Sequence, residues 1–147
     1  MTAAFVVDSS VMVAVVNCEP EAQALEEALF GSDRYVGWPT IFETRIWTIR
    51  HQEPEFAAWL DAFLDLDNTL TIAFDRELEA KAADAFRRFG KGRHPARLNF
   101  GDCMTYAAAK SLDLPLLFKG ADFGQTDVTI HPASVITAPV ITAPAGT

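Results

Sequence analysis

AFVVDSSVMVAVVN, residues 4–17, sets the pattern that the rest of the chain repeats. Ala4 to Val7 is apolar at every position, which predicts a strand buried on both faces, as in a parallel sheet. Asp8 ends the run. Ser9 or Ser10 can cap the next segment, VMVAVVN, which reads as a helix. Pro20 opens a second helix, EAQALEEALF, which stops at Gly31. Tyr35 to Gly37 is a brief strand, and Pro39 introduces the helix IFETRIWTIRH. Pro54 starts a further helix with an apolar stripe of Phe56, Trp59, Leu60, Phe63 and Leu64. Leu70 to Phe74 is the next strand, and Asp75 caps RELEAKAADAFRRF, which ends at Gly90. A helix from about Gly101 to Leu112 and a strand from Pro115 to Phe118 complete the series. DFGQTDVTIH then supplies a turn and an edge strand. Strands alternating with helices predict an α/β fold, a mostly parallel central sheet flanked by α-helices on both faces.

Bulk properties agree with one globular domain. The chain has 147 residues, half of them hydrophobic, which is enough to bury a core. No apolar run reaches the roughly 18 residues that cross a bilayer, and MTAAFVVDSS lacks the basic region of a signal peptide. A cytoplasmic protein with no membrane association is expected, with Cys18 and Cys103 as free thiols. Residues 1–131 form the expected domain. Residues 132–147 contain VITAP twice in succession, an Ala/Pro/Thr-rich tail expected to be disordered, since regular proline stops a strand from propagating.

Four acids stand where strands end or helices begin: Asp8, Glu43, Asp102 and Asp122. Each has a local explanation. Asp8 caps a helix, and Thr40-x-x-Glu43 and Asn99-x-x-Asp102 have capping-box spacing. Asp122 suits a turn. Together they mean more, because right-handed crossovers bring strand ends and helix starts to one edge of a parallel sheet, where ligands bind. Carboxylates gathered there repel unless a cation neutralises them, and oxygen donors suit Mg²⁺ or Mn²⁺. The chemistry expected of such a site is phosphodiester hydrolysis by a metal-activated water. Ser10 could support a ligand water or a carboxylate, and Asp127 is a weaker fifth acid. There is no HExxH spacing and no glycine-rich phosphate loop.

VVDSSVMVAVV, WPTIFETRIWTI, LNFGDCMTYAAAKSL and PLLFKGADFGQTDV resemble the successive motifs of PIN-domain ribonucleases, and within them VapC, the toxin half of VapBC modules. The resemblance spans residues 4 to 131. It implies a PIN-like sandwich and a Mg²⁺- or Mn²⁺-dependent endoribonuclease with Asp8, Glu43, Asp102 and Asp122 as catalytic, metal-binding acids and Ser10 at the family's Ser/Thr position. It also implies an RNA substrate, a homodimer, and a hetero-oligomer with a VapB-like antitoxin whose C-terminal segment can place a basic residue in the acidic site.

The net charge of −8 disfavours a nucleic-acid binder on average, yet Arg87, Arg88, Lys91, Arg93 and Arg97 crowd one short stretch. They are candidate RNA-backbone contacts, or a solvated helix end and loop. The stripe of Phe42, Ile46 and Ile49 and that of the following helix suit the core, with part of this surface, near Trp47 and Trp59, left as a dimer or antitoxin groove. Two rivals remain. A receiver-like phosphoacceptor would need Asp75 as acceptor and Lys119 beside it. A catalytically silent module would keep the fold only to bind a partner.

Overall fold

The computed structural model describes residues 3–138. Four strands, Phe5–Val7 (β1), Arg34–Gly37 (β2), Thr69–Ile72 (β3) and Leu116–Leu117 (β4), make one sheet in the order β3-β2-β1-β4, and every pairing is parallel. The connections are helical: α1 (Ser9–Val16) and α2 (Ala22–Phe30) between β1 and β2, α3 (Trp38–His51) and α4 (Pro54–Leu64) between β2 and β3, α5 (Arg76–Phe89) and α6 (Phe100–Leu112) between β3 and β4.

β1 shows why its run is apolar throughout. Val6 points into one core, with Ala107, Leu116 and Phe118. Phe5 and Val7 point into the other, with Leu25, Leu60, Phe63 and Leu117. A strand alternates its side chains across the sheet, so helices on both faces demand apolar residues at every position.

α3 departs from its apolar periodicity. Its buried residues are Thr40, Ile41, Thr44 and Thr48, whereas Phe42 is 65% and Ile49 64% exposed. The expected core stripe is therefore mostly surface. The threonines can be buried because their hydroxyls are satisfied close at hand. Thr44 Oγ1 donates to Thr40 O at 2.9 Å and Thr48 Oγ1 to Arg45 O at 2.8 Å. Thr40 Oγ1 instead meets Thr105 Oγ1 of α6 at 3.1 Å, tying α3 to α6. The tryptophans expected beside a partner groove are partly covered: Trp47 stacks on His51 and Trp59 lies on Phe63.

The end of the described chain lies against the domain. Val135–Ile136 (β6) pairs with Lys119–Gly120 (β5), and Ser134 Oγ accepts from Phe118 N–H while donating to Leu116 O. This stretch falls past residue 131, where composition put the boundary. Two extended residues between prolines are enough for so short a strand. The second VITAP copy, and the disorder expected of it, lie outside the described residues.

The Thr40–Thr105 contact sets the spacing of α3 and α6, the two helices that carry Glu43 and Asp102. Valine at either position strands the other buried hydroxyl and costs about 1–2 kcal/mol. The double variant loses less than the sum of the singles, because it removes both partners together. Urea denaturation of the four proteins measures this coupling, and strictly additive losses would deny it.

Candidate active site

Asp8 follows β1 directly. Its N–H donates to Leu117 O of β4 at 3.0 Å, and its Oδ2 accepts from Ser10 N–H at 3.1 Å, so it is the N-cap of α1 as well as a buried acid at the sheet's edge. Asp102 stands in the first turn of α6 in a reciprocal capping box. Its N–H donates to Asn99 Oδ1 at 2.8 Å and its Oδ2 accepts from Asn99 N–H at 3.1 Å.

Glu43 is differently held. Pro39 in the first turn lets α3 start at Trp38 with Gly37 as N-cap, which carries Thr40 and Glu43 inside the helix. The Thr40–Glu43 capping box therefore does not form. Glu43 Oε1 accepts from the Ser9 hydroxyl instead. Its other oxygen lies over Gly101, where any Cβ would overlap the Glu43 carboxylate. Ser9 and Gly101 together set the position of this carboxylate. Asp122 precedes a 3₁₀ turn at Phe123–Gln125 and caps nothing with its side chain.

The acids feel one another. Asp102 is pushed up to about 7, first by burial, then by the charge of Asp8, with smaller contributions from Asp122 and Glu43, against its bond to the Asn99 backbone. Glu43 is raised by burial and by Asp8 while the Ser9 hydroxyl opposes. Asp122 is raised by burial and by Asp8, opposed by a hydrogen bond from Asp102 and by the charge of Arg97. Burial and the neighbouring charges thus favour the protonated form of Asp102, a cost that a bound cation would offset. Among the described residues no three such side chains close into a finished cage.

The other candidates divide. Ser10 Oγ accepts from Lys119 N–H at 3.0 Å, joining α1 to β5; its neighbour Ser9 is the serine whose hydroxyl touches an acid. Asp127 lies apart from the four. It accepts from Tyr106 Oη at 2.6 Å, Arg88 Nη2 at 3.1 Å and Lys110 Nζ at 3.3 Å. Burial alone would raise it, but these donors hold it below its ordinary value. Arg88 is committed to that network, Arg93 lies over the Phe86 ring, and Arg87 is exposed near the end of α5. Lys91 and Arg97 line a depression together with Asp122. Lys119 is bound to Glu19 at 2.5 Å and Glu21 at 2.9 Å, away from any receiver-like role beside Asp75. Cys103 is buried and its thiol is pushed up to about 11, so it packs rather than attacks. Cys18 is also a free thiol.

The raised Asp102 makes a prediction for the metal-free protein. Between its ordinary 3.8 and about 7, the folded chain keeps a proton that the unfolded chain releases, so stability falls as pH rises through that window. Asp102→Asn removes this loss and retains an acceptor for the cap. In excess chelator near pH 8 it raises stability by ~1–3 kcal/mol, and near pH 4 it changes little. Thermal melts across pH measure the difference, and parallel curves for the two proteins would contradict it.

Comparison with known proteins bears on the family and the fold. The family model described as PIN domain matches residues 5–128. The Ribonuclease VapC of Mycolicibacterium smegmatis is 42% identical over 125 residues, 84% of this chain and 96% of that one. Mycobacterium tuberculosis VapC20, described as a Sarcin-Ricin loop cleaving toxin, shares the fold with a TM-score of 0.69 at 15% identity, over 85% of this chain and 96% of that one. A toxin-antitoxin complex from Klebsiella pneumoniae contains the same fold, with a TM-score of 0.66 at 16% identity over 89% of this chain and 99% of that one. With the parallel sheet in place and its acids at one edge, a family match over most of the chain has one meaning: the chain belongs to the PIN-domain family, among the VapC ribonucleases.

Proposed function

We propose that this chain is an endoribonuclease that acts as the toxin of a toxin–antitoxin module, uses Mg²⁺ with Mn²⁺ as a substitute, and is neutralised by a VapB-like antitoxin. One observation carries the reading. Four carboxylates far apart in sequence bear on one another around Asp102, which keeps its proton near neutrality. A cation offsets the cost of ionising Asp102 beside the other three.

A divalent ion, when bound, supplies counter-charge for the scissile phosphate and acidifies a water. The chain's own residues do the positioning. Asp8 and Asp102, each tethered by its helix cap, would hold the ion. Asp8 Oδ1 takes no hydrogen bond among the described residues and is free to face the site. Glu43, with Oε1 held by Ser9, presents Oε2 to the attacking water and accepts its proton. Asp122, close to Asp102, orients water on the side of the basic loop.

The partner surface suits the same reading. Trp38, Phe42, Ile46, Phe74, Phe100 and Met104 line an apolar groove of about 700 Å³ that reaches Glu43. Phe42 and Phe100 are largely exposed in the single chain. An apolar segment of an antitoxin, or a second copy of the chain, covers such a groove. Work on RNA implies a cytoplasmic setting, and among the described residues no helix is long and apolar enough to cross a membrane. A silent interaction module is disfavoured because all four acids are present.

Purified antitoxin-free chain is expected to cut total cellular RNA into discrete fragments in Mg²⁺, to lose this activity in chelator, and to lose at least 10²-fold with Asp102→Asn. A folded protein that neither binds Mn²⁺ nor cuts RNA would leave only the interaction module. Gly101→Ala isolates the placement of Glu43. Alanine favours the helix, so stability stays within about 1 kcal/mol of the parent, while the displaced carboxylate costs about 10²-fold in cleavage. Unchanged cleavage by this variant would remove Glu43 from the mechanism.

A further inference from the structure

The basic loop is a built structure. Gly90 and Leu98 pair at its base, where Lys91 N–H donates to Leu98 O and Leu98 N–H to Phe89 O, both at 2.9 Å. Inside it, Arg97 N–H donates to His94 O at 3.0 Å and His94 Nδ1 accepts from Ala96 N–H at 3.0 Å. Ala96 and Leu98 are fully buried, and the His94 ring meets the Phe89 ring edge-on. The closure holds Arg97 at a φ of 55°, a left-handed conformation that a non-glycine residue adopts at some cost.

This geometry sorts the five cations of the run. Arg88 is spent on Asp84 and Asp127, and Arg93 lies over Phe86. Arg87 does not line the depression. Lys91 and Arg97 make no ion pair among the described residues, and both line the depression of about 360 Å³ that Asp122 borders. Asn99 and Gln125 line it too. Asn99 uses its Oδ1 for the α6 cap, which leaves its amide N–H groups available as donors.

We propose that this depression is a phosphate subsite, in which Arg97 and Lys91 hold an RNA backbone phosphate next to the one cleaved at the four acids. The strand then runs from the acids past Asp122 into the basic loop and does not follow α5 to Arg88. The subsite gives a chain of net charge −8 a local source of phosphate affinity where its own carboxylates would repel the substrate. Arg97 offers the planar fork that grips a phosphate through two N–H groups, and Lys91 a point charge. The proposal rests on the nuclease reading of the acidic site.

The test measures binding apart from cleavage. Full-length chain carrying Asp102→Asn, in excess chelator, is titrated into a short fluorescein-labelled single-stranded RNA at several salt concentrations. Lys91→Ala and Arg97→Ala added to this background each weaken binding roughly 3- to 20-fold. Each also lowers the slope of log affinity against log salt by about 0.7, the signature of one lost phosphate contact on a single strand. Arg88→Ala, added in the same way, changes neither. Full binding by the Lys91 and Arg97 variants, an equal loss with Arg88→Ala, or no binding by the Asp102→Asn parent would each overturn the subsite. Metal-dependent cleavage by the unsubstituted chain reports separately on the nuclease reading, so either idea can fail without the other.

Discussion

Repulsion among four carboxylates is the constraint around which this molecule is arranged. A half-buried acid with like charges beside it favours its protonated form unless a cation is near, and Asp102 is pushed up to about 7 by burial first and by Asp8 next. The fold must keep these groups together against that cost. It does so with short local tethers. Asp8 accepts from Ser10 N–H, Asp102 from Asn99 N–H, and Glu43 from the Ser9 hydroxyl. Each tether uses one oxygen of a carboxylate that has two. Capping a helix and facing a cation are therefore compatible roles, and Asp8 and Asp102 have the geometry for both.

That compatibility explains why some of the molecule was legible in the sequence and some was not. Strands and helices were legible because apolar runs end at Asp8 and at Phe118, and because Asp75 and Asn99 are strong caps placed where helices start. The gathering of the four acids was legible as topology: parallel strands return to the same edge. The attachment of Glu43 was not, because Pro39 moves the start of α3 forward and removes the capping box that Thr40 and Glu43 appear to spell. Ser9 and Gly101 were missed for a related reason. Their roles depend on the crossing of α1, α3 and α6, and no local pattern records a missing Cβ on one helix making room for a side chain on another. The buried face of α3 was obscured by chemistry, since threonine counts as polar in any periodicity yet buries well once its hydroxyl finds a carbonyl.

The cations follow a similar logic of commitment. Five basic residues between 87 and 97 look equivalent in sequence, but Arg88 joins Tyr106 and Lys110 around Asp127 and so pins α5 to α6. This is why Asp127, an acid with the right spacing to compete with Asp122, sits in a balanced network instead of in the charged cluster. Burial pushes both aspartates up; around Asp127 the donors Tyr106, Arg88 and Lys110 outweigh it, whereas around Asp122 burial and the charge of Asp8 prevail over Asp102 and Arg97. The two aspartates lie five residues apart, and the donors around Asp127 make it a structural anchor.

The proposed antitoxin could draw on the same electrostatics. The apolar groove of Trp38, Phe42, Phe74 and Phe100 runs up to Glu43, so a segment that fills it is led to the acids. A lysine or arginine at the end of that segment would satisfy the carboxylates' need for positive charge without acidifying a water or neutralising a phosphate. Charge and packing then act together: burial of aromatic surface supplies affinity, and the cation supplies register and displaces what the chemistry requires. A site in which ionising every acid is costly is open to activation by one kind of cation and to silencing by another.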